Sequence, residues 1–373
     1  MREQVMTDAT ATKREWTPNW AVHPGALLEE HLETRGLSQA EFARVAALTP
    51  KLVSTIIKGT NPVTAETAIK LERVLGLKAY IWTGIQAKWD LFQARAEAKP
   101  TPETKSWLAL FPIRELRERK WLPDTSAEKE LTNSLLRLFE IGTPQAYAAK
   151  ISGLAVHHRR SKAHESSKHH VFTWLMLGEH KARQLNVPPF NARKFEEAVR
   201  KIKNLTVEKP AIFEPQMKIL CRDAGVALVI EPPISKTRLF GSARWFDADR
   251  AIIQMSLRMK TNDHFWWTFF HEAAHLLLHR GKNFVDDQNG AGDGIEKQAD
   301  DWAKELLIGR QRFESFKATQ PRSRGQIKSF ADQIKLHPGI IVGMLQHSHV
   351  LPYNHLNDLK DKFEWTDEDS PLF

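Results

Sequence analysis

The chain has 373 residues, 42% of them hydrophobic, with 54 basic side chains against 45 acidic ones and a formal net charge of +9. That length exceeds a typical single domain and the hydrophobic content can build real cores, so two or three domains are expected. The single cysteine, Cys221, excludes an internal disulfide and a cysteine-rich zinc site. No run of about 18 apolar residues offers a membrane span, and MREQVMTDATATKREW lacks a secretory core, so a cytoplasmic protein with no membrane partner is expected.

Residues 1–22 read as a flexible N-terminal segment. Leu37 to Val45 then reads as a short helix capped by Ser38, with Glu41 completing a capping box. Thr49-Pro50 starts another, with Pro50 at its first position and Gly59 at its stop. Two short helices joined by a tight turn describe a helix-turn-helix, with Pro50 to Lys58 as recognition helix. Lys51, Ser54 and Thr55 are placed to reach base edges of a double-stranded operator, Gln39 and Lys58 to hold phosphates, and Val53, Ile56 and Ile57 to pack inward. The same geometry also occurs in helical subdomains that never touch DNA. From His23 to Asp90 the run HPGALLEEHLETRGLSQAEFARVAALTPKLVSTIIKGTNPVTAETAIKLERVLG, with WTGIQAKWD after it, resembles the Xre-type, HigA-like antitoxin and repressor family. The resemblance implies an all-α DNA-binding domain over 23–98 that works as a homodimer on a palindromic operator.

Lys99-Pro-Thr-Pro102 reads as a boundary, because paired prolines interrupt helices and stiffen a linker. Beyond it Trp107 to Trp121, Glu128 to Glu140 and Phe190 to Lys203 are predicted helices of a helical connector over 103–205. Nearly all the excess positive charge falls between about residues 101 and 220, including His157-His-Arg-Arg160, Lys162, Lys168 and Arg193-Lys194. It reads as solvated helix faces, with a second basic surface along a duplex as the alternative. The histidines at 157, 158, 164, 169 and 170 lack the order of a ligand set and are not read as a metal site.

Over 206–373 the pattern changes. Cys221 falls on the apolar side of a helix, as a core thiol. Ala227 to Glu231 and Ala251 to Met255 are short β-rich runs with Gly241 to Trp245 as a third, which predicts a small sheet. Gly241 to Trp245 is the candidate edge strand for holding an extended peptide by main-chain pairing, or else an ordinary core strand. Next comes His271-Glu-Ala-Ala-His275 inside the apolar run Phe265 to Leu278. Residues four apart share one helix face, so both imidazoles converge on one ion. Glu272, roughly 100° further round, can serve as general base towards water whose pKa the metal lowers to about 7.

Sixteen histidines make a chance match real, so a third ligand is required. His279 lies about 12 Å along the axis from His271, too far to share the ion, and reads as a cation at the helix end or a group supporting a ligand. Glu296 opens a second amphipathic run, Ala299, Trp302, Ala303, Leu306 and Leu307, and Asp300 one turn later can orient a ligand histidine through its other ring nitrogen. Taken alone, Glu296 would be a solvated helix-start glutamate.

FFHEAAHLLLH followed by EKQADDWAKELLI resembles the ImmA/IrrE family of zinc metallopeptidases over about residues 210 to 310. The resemblance implies a zincin-like fold, Zn2+ held by His271, His275 and Glu296, and a catalytic Glu272. Ala274 stands where the family often has glycine and Gly309 where a proline commonly follows, departures that bear on helix geometry and remove no ligand.

Arg280 to Gly294 is expected to form a mobile loop between the two ligand helices, a lid rather than a calcium loop, since its glycine and aspartate positions do not match an EF-hand. Gln326 to Gln346 and Asn354 to Phe363 continue the helical pattern, divided by Pro338-Gly339 and Pro352, and His347 is either a surface group or a donor to the cleft. The expected fold is mainly α with a small β-sheet (α+β): helix-turn-helix, helical connector and C-terminal zincin-like domain. The expected function is a DNA-binding regulator that cleaves a protein partner, a repressor or toxin-antitoxin component. The rival is a repressor or antitoxin whose zinc domain is a non-catalytic sensor or interaction scaffold.

Overall fold

The computed structural model describes residues 20–97, 102–154, 167–281, 284–287 and 294–365. The chain divides between Thr101 and Pro102 into two compact units. The first comprises α1 (Pro24–Thr34), α2 (Gln39–Val45), α3 (Pro50–Ile57), α4 (Ala65–Leu75) and α5 (Ala79–Glu97). Local chemistry punctuates it, at α2 and the start of α3 as expected. Ser38 and Glu41 form a reciprocal capping box, Thr49 caps α3, Thr64 caps α4, and Gly76 ends α4 at φ 78°. Leu28, Phe42, Val53, Ile56, Leu71 and Trp82 are wholly buried between these helices. Gly25 is required where α1 meets the end of α3, because a Cβ there would lie 1.9 Å from the Ile56 carbonyl oxygen.

The second unit begins with α6 (Pro102–Leu108), α7 (Ile113–Glu118), α8 (Glu128–Phe139), α9 (Tyr147–Leu154), α10 (Lys168–Gln184), α11 (Ala192–Lys203) and α12 (Pro210–Asp223). It continues with β1 (Val226–Ile230), β2 (Leu239–Trp245), β3 (Ala251–Met255), α13 (Asn262–Leu278), β4 (Phe284–Asp287), α14 (Gly294–Leu307), α15 (Arg310–Ala318), α16 (Arg324–Ile334) and α17 (Pro338–His347). The sheet order is β1-β3-β2-β4, with β1 parallel to β3 and β2 antiparallel to both neighbours.

Strand alternation assigns the two faces. Val226, Leu228, Ala243, Ile253 and Met255 share a core with α13, whereas Ala227, Val229 and Ile252 face Ala182 and Val187. The segment 103–205 is therefore not a body of its own, because α10 covers the second face of the sheet. A buried polar seam holds it there. Arg244 Nη2 donates to the Leu175 carbonyl and to Gln254 Oε1, each at 3.0 Å, and Gln254 Nε2 donates to the Trp174 carbonyl at 2.7 Å. Gly178 makes room, since a Cβ there would lie 2.1 Å from Gln254. The buried Glu231 carboxylate, at the end of β1, is paired with Lys181 at 2.7 Å and Arg119 at 3.5 Å. Burial nonetheless raises its pKa, against the opposing pull of those two cations.

Four expectations change. The helix predicted over Trp107 to Trp121 is broken into α6 and α7, because Pro112 has no N–H to continue it. Asn354 to Phe363 holds only a single 3-10 turn, Asn357–Leu359, with Gln346 Nε2 donating to the carbonyls of Pro352, Tyr353 and His355 in place of a helical ladder. Gly241 to Trp245 is not an edge, for β3 and β4 pair with it on both sides. That second pairing also replaces the loop expected over Arg280 to Gly294 with β4 in its middle, while 282–283 and 288–293 lie outside the described residues.

His169 Nδ1 meets the Tyr147 hydroxyl at 3.0 Å and His170 Nδ1 the Ser235 carbonyl at 2.6 Å, whereas His157, His158 and His164 lie outside the described residues, as do residues 1–19. Cys221 is wholly buried, which pushes its thiol pKa up. No helix among the described residues is long and apolar enough to cross a membrane.

Candidate metal centre and DNA-reading helix

The apolar run from Phe265 to Leu276 drives α13 into the core between β2, α14 and α17, so its polar motif is carried inside. His271, Glu272 and His275 are all buried. α14 is amphipathic, with Ala299, Ala303 and Leu307 fully buried, and that face brings its first turn to the two imidazoles. The His271 and His275 Nε2 atoms lie 3.0 Å apart. Glu296 Oε2 lies 3.2 Å from the first and 3.3 Å from the second. Bonds of about 2.0–2.1 Å at tetrahedral angles separate zinc ligand atoms by about 3.3 Å, so the donor triangle has the size such an ion needs. Among the described residues this is the one group of three or more His, Cys, Asp or Glu side chains so arranged.

Electrostatics agree with the donor set. Burial raises the Glu296 carboxyl, but hydrogen bonds and charge from the two histidines together outweigh it and hold the group far below the usual carboxylate range. Burial also pushes the His275 pKa down, which favours the neutral ring that ligation requires.

Supporting contacts reach both rings. His271 Nδ1 meets Asp300 Oδ1 at 2.9 Å. His275 Nδ1 meets His279 Nδ1 at 3.2 Å, and His279 Nε2 meets Gln298 Oε1 at 3.0 Å, so His279 supports a neighbour rather than joining the triangle. Gln298 was not legible beforehand, since only the return of α14 past the end of α13 brings it to His279. Glu272 faces β2 at Gly241, where a Cβ would lie 2.7 Å from its Oε1. Glycine there leaves the carboxylate its space. Ala274 is wholly buried, and Gly309 takes φ 84°, a backbone no proline can adopt.

In the first unit α2 and α3 form the expected pair. Gln39, Lys51 and Lys58 are exposed, Ser54 and Thr55 are half-buried, and Val53 and Ile56 are fully buried. Ile57 is partly buried against the same core. The Thr55 hydroxyl donates to the carbonyls of its own helix, Lys51 at 2.9 Å and Leu52 at 3.0 Å, so it faces outward as an acceptor.

A helix-turn-helix family model matches residues 28–82, and a peptidase family model described as an IrrE N-terminal-like domain matches residues 224–334. Virulence-associated protein I of Dichelobacter nodosus is 35% identical over 78 residues, which is 21% of this chain and 72% of that protein. The uncharacterized HTH-type transcriptional regulator YddM of Escherichia coli (strain K12) is 35% identical over 71 residues, 19% of this chain and 76% of that protein. The solved addiction module antidote protein of a HigA family from Coxiella burnetii is 27% identical and covers 21% of this chain and 97% of its own, with a TM-score of 0.19. The chain therefore belongs to the Xre-type helix-turn-helix regulators and carries, behind that DNA-binding module, a domain of the IrrE-like peptidase family.

Proposed function

We propose that this regulator binds an operator as a homodimer through α3 and cleaves a protein partner with a zinc-dependent endopeptidase site in its second unit. The observation that carries the reading is the triangle of two imidazole nitrogens and one carboxylate oxygen beside a buried glutamate. Zn2+ would be held by His271, His275 and Glu296, and when bound it supplies Lewis acidity and a water acidic near pH 7. Asp300 and His279 keep the two rings in their working tautomers. Glu272 takes the proton from the attacking water and delivers it to the leaving amine nitrogen as the peptide bond breaks. Gly241, with no Cβ, leaves room for that carboxylate beside Thr268.

On the DNA side Lys51 and Ser54 reach base edges, while Gln39 and Lys58 hold phosphates. The substrate is a repressor or toxin-antitoxin component.

Substituting Glu272→Gln tests the enzyme directly. Zinc content and operator affinity stay at wild-type levels, while cleavage of the partner stops. If partner cleavage continued at the wild-type rate, the domain would be a scaffold and the peptidase reading would be wrong.

A further inference from the structure

The two candidate ligand histidines are oriented by different means. His271 Nδ1 meets Asp300 Oδ1 at 2.9 Å, and an ionised carboxylate only accepts, so it holds the ring proton on Nδ1 and leaves the Nε2 lone pair to the triangle. His275 Nδ1 instead meets a second imidazole, His279 Nδ1, at 3.2 Å, and an imidazole nitrogen either donates or accepts. That contact alone leaves open which His275 nitrogen carries the proton. The next contact outward decides it, because His279 Nε2 lies 3.0 Å from Gln298 Oε1.

The direction of this hydrogen-bond series follows from its metal end. His275 offers the triangle its Nε2, 3.0 Å from His271 Nε2 and 3.3 Å from Glu296 Oε2. A ligand nitrogen has to be bare, so in the neutral ring the proton sits on Nδ1 and is donated to His279 Nδ1. Neutral His279 then carries its own proton on Nε2 and donates it to the Gln298 amide oxygen. With the amide turned the other way, its NH2 group would donate to His279 Nε2 and move the His279 proton to Nδ1. His275 would then have to accept at Nδ1 and place its proton on Nε2, inside the triangle. One amide orientation of the two is therefore compatible with three metal donors. Gln298 stands between Glu296 and Asp300, so five consecutive residues of α14 supply the carboxylate ligand and an outer acceptor for each ring. Through the buried His279, an exposed side chain acts on a buried ligand.

We infer that, if the metal-centre reading holds, Gln298 is a positioning residue for it: the Gln298 amide oxygen, acting through His279, sets the tautomer of His275 and keeps its Nε2 bare for the ion.

The test uses the full-length chain and reads metal affinity and ring tautomer, not cleavage. Gln298→Met keeps the length and helix propensity of the side chain and removes its oxygen, and circular dichroism checks that the exposed substitution leaves the helices intact. Zinc affinity, read by competition against a chelator, falls about 5-fold. That is less than the roughly 10- to 100-fold loss of a group bonded directly to a ligand, because Gln298 is one ring further out and water reaches it. Gln298→Glu keeps an acceptor in place and binds zinc at least as tightly as wild type. Once His279→Phe has removed the intervening nitrogens, Gln298→Met costs nothing more. Nitrogen-15 spectra of the metal-free chain read the tautomers themselves: wild-type His275 carries its proton on Nδ1, and Gln298→Met gives a mixture of the two forms. Unchanged zinc affinity in Gln298→Met, an equal loss with and without His279, or a His275 tautomer indifferent to residue 298 would each overturn the inference. Wild-type chain that showed the Gln298-dependent tautomer yet bound no zinc would instead sink the metal-centre reading and leave the role of Gln298 on His275 standing.

Discussion

Asp300→Ala is the sharpest probe of how the candidate metal centre is built. The carboxylate touches His271 Nδ1 at 2.9 Å and touches neither His275 nor Glu296, so its loss leaves all three donors in place and removes only the group that orients one ring. Losing such a supporting carboxylate costs roughly 10- to 100-fold in metal affinity. The Asp300 side chain is 53% exposed, so water screens the contact and stands in for part of it, which puts the effect at the low end, about 10-fold or about 1.4 kcal/mol. Asp300→Asn keeps an acceptor at the same place without the charge and falls between alanine and wild type. Zinc affinity is read by competition against a chelator of known strength, with circular dichroism checking that the helices persist. An Asp300→Ala chain that bound zinc within twofold of wild type would show that His271 needs no orienting partner.

Gly25→Ala forces a methyl group to within 1.9 Å of the Ile56 carbonyl oxygen, at the end of α3. Overpacking of this kind costs about 1–3 kcal/mol, so denaturant unfolding of the first unit shifts to lower concentration and operator affinity falls with it. Unchanged unfolding would mean that α1 and α3 do not meet as closely as described. Lys58→Ala removes an exposed cation beyond α3, and the slope of log affinity against log salt decreases by about 0.9 while the preferred operator stays the same. A changed operator preference with an unchanged slope would place Lys58 on bases instead of phosphates.

The parts legible in the sequence are those written at helical spacing. His271 and His275 are one turn apart, Ser38 and Glu41 are three residues apart, and Glu296 and Asp300 are again one turn apart, so each relation survives without knowledge of the fold. What the spacing could not show is what returns from elsewhere. β4 is four residues inside a polar, glycine-rich stretch, and its pairing with β2 is what removes the expected edge. α10 left no amphipathic trace because it is buried on nearly every side from His170 to Glu179, between the sheet and the helices before it. Arg244 sits in a strand whose other residues read as core, and nothing local indicates that Gln254, Leu175 and Glu179 would surround it.

That buried arginine explains why the middle helices belong with the metal centre. Arg244 and Gly241 are three residues apart on β2, one turned towards α10 and the other towards Glu272. Burial pushes the guanidinium down to about 10, while Glu179 on α10 and Glu272 on α13 both favour its charged form. Glu179 lies 3.5 Å from Nη1, and the Gln254 and Leu175 oxygens each take a proton from Nη2, so α10 supplies two of the groups that make the buried charge tolerable. Without α10, β2 would carry an unpaired cation under the strand that faces Glu272, and Ala227, Val229 and Ile252 would lose their cover. The depth at which Gly241 meets Glu272 is therefore set from both faces of the sheet, and the helices before β1 are part of the framework that holds the candidate general base in place.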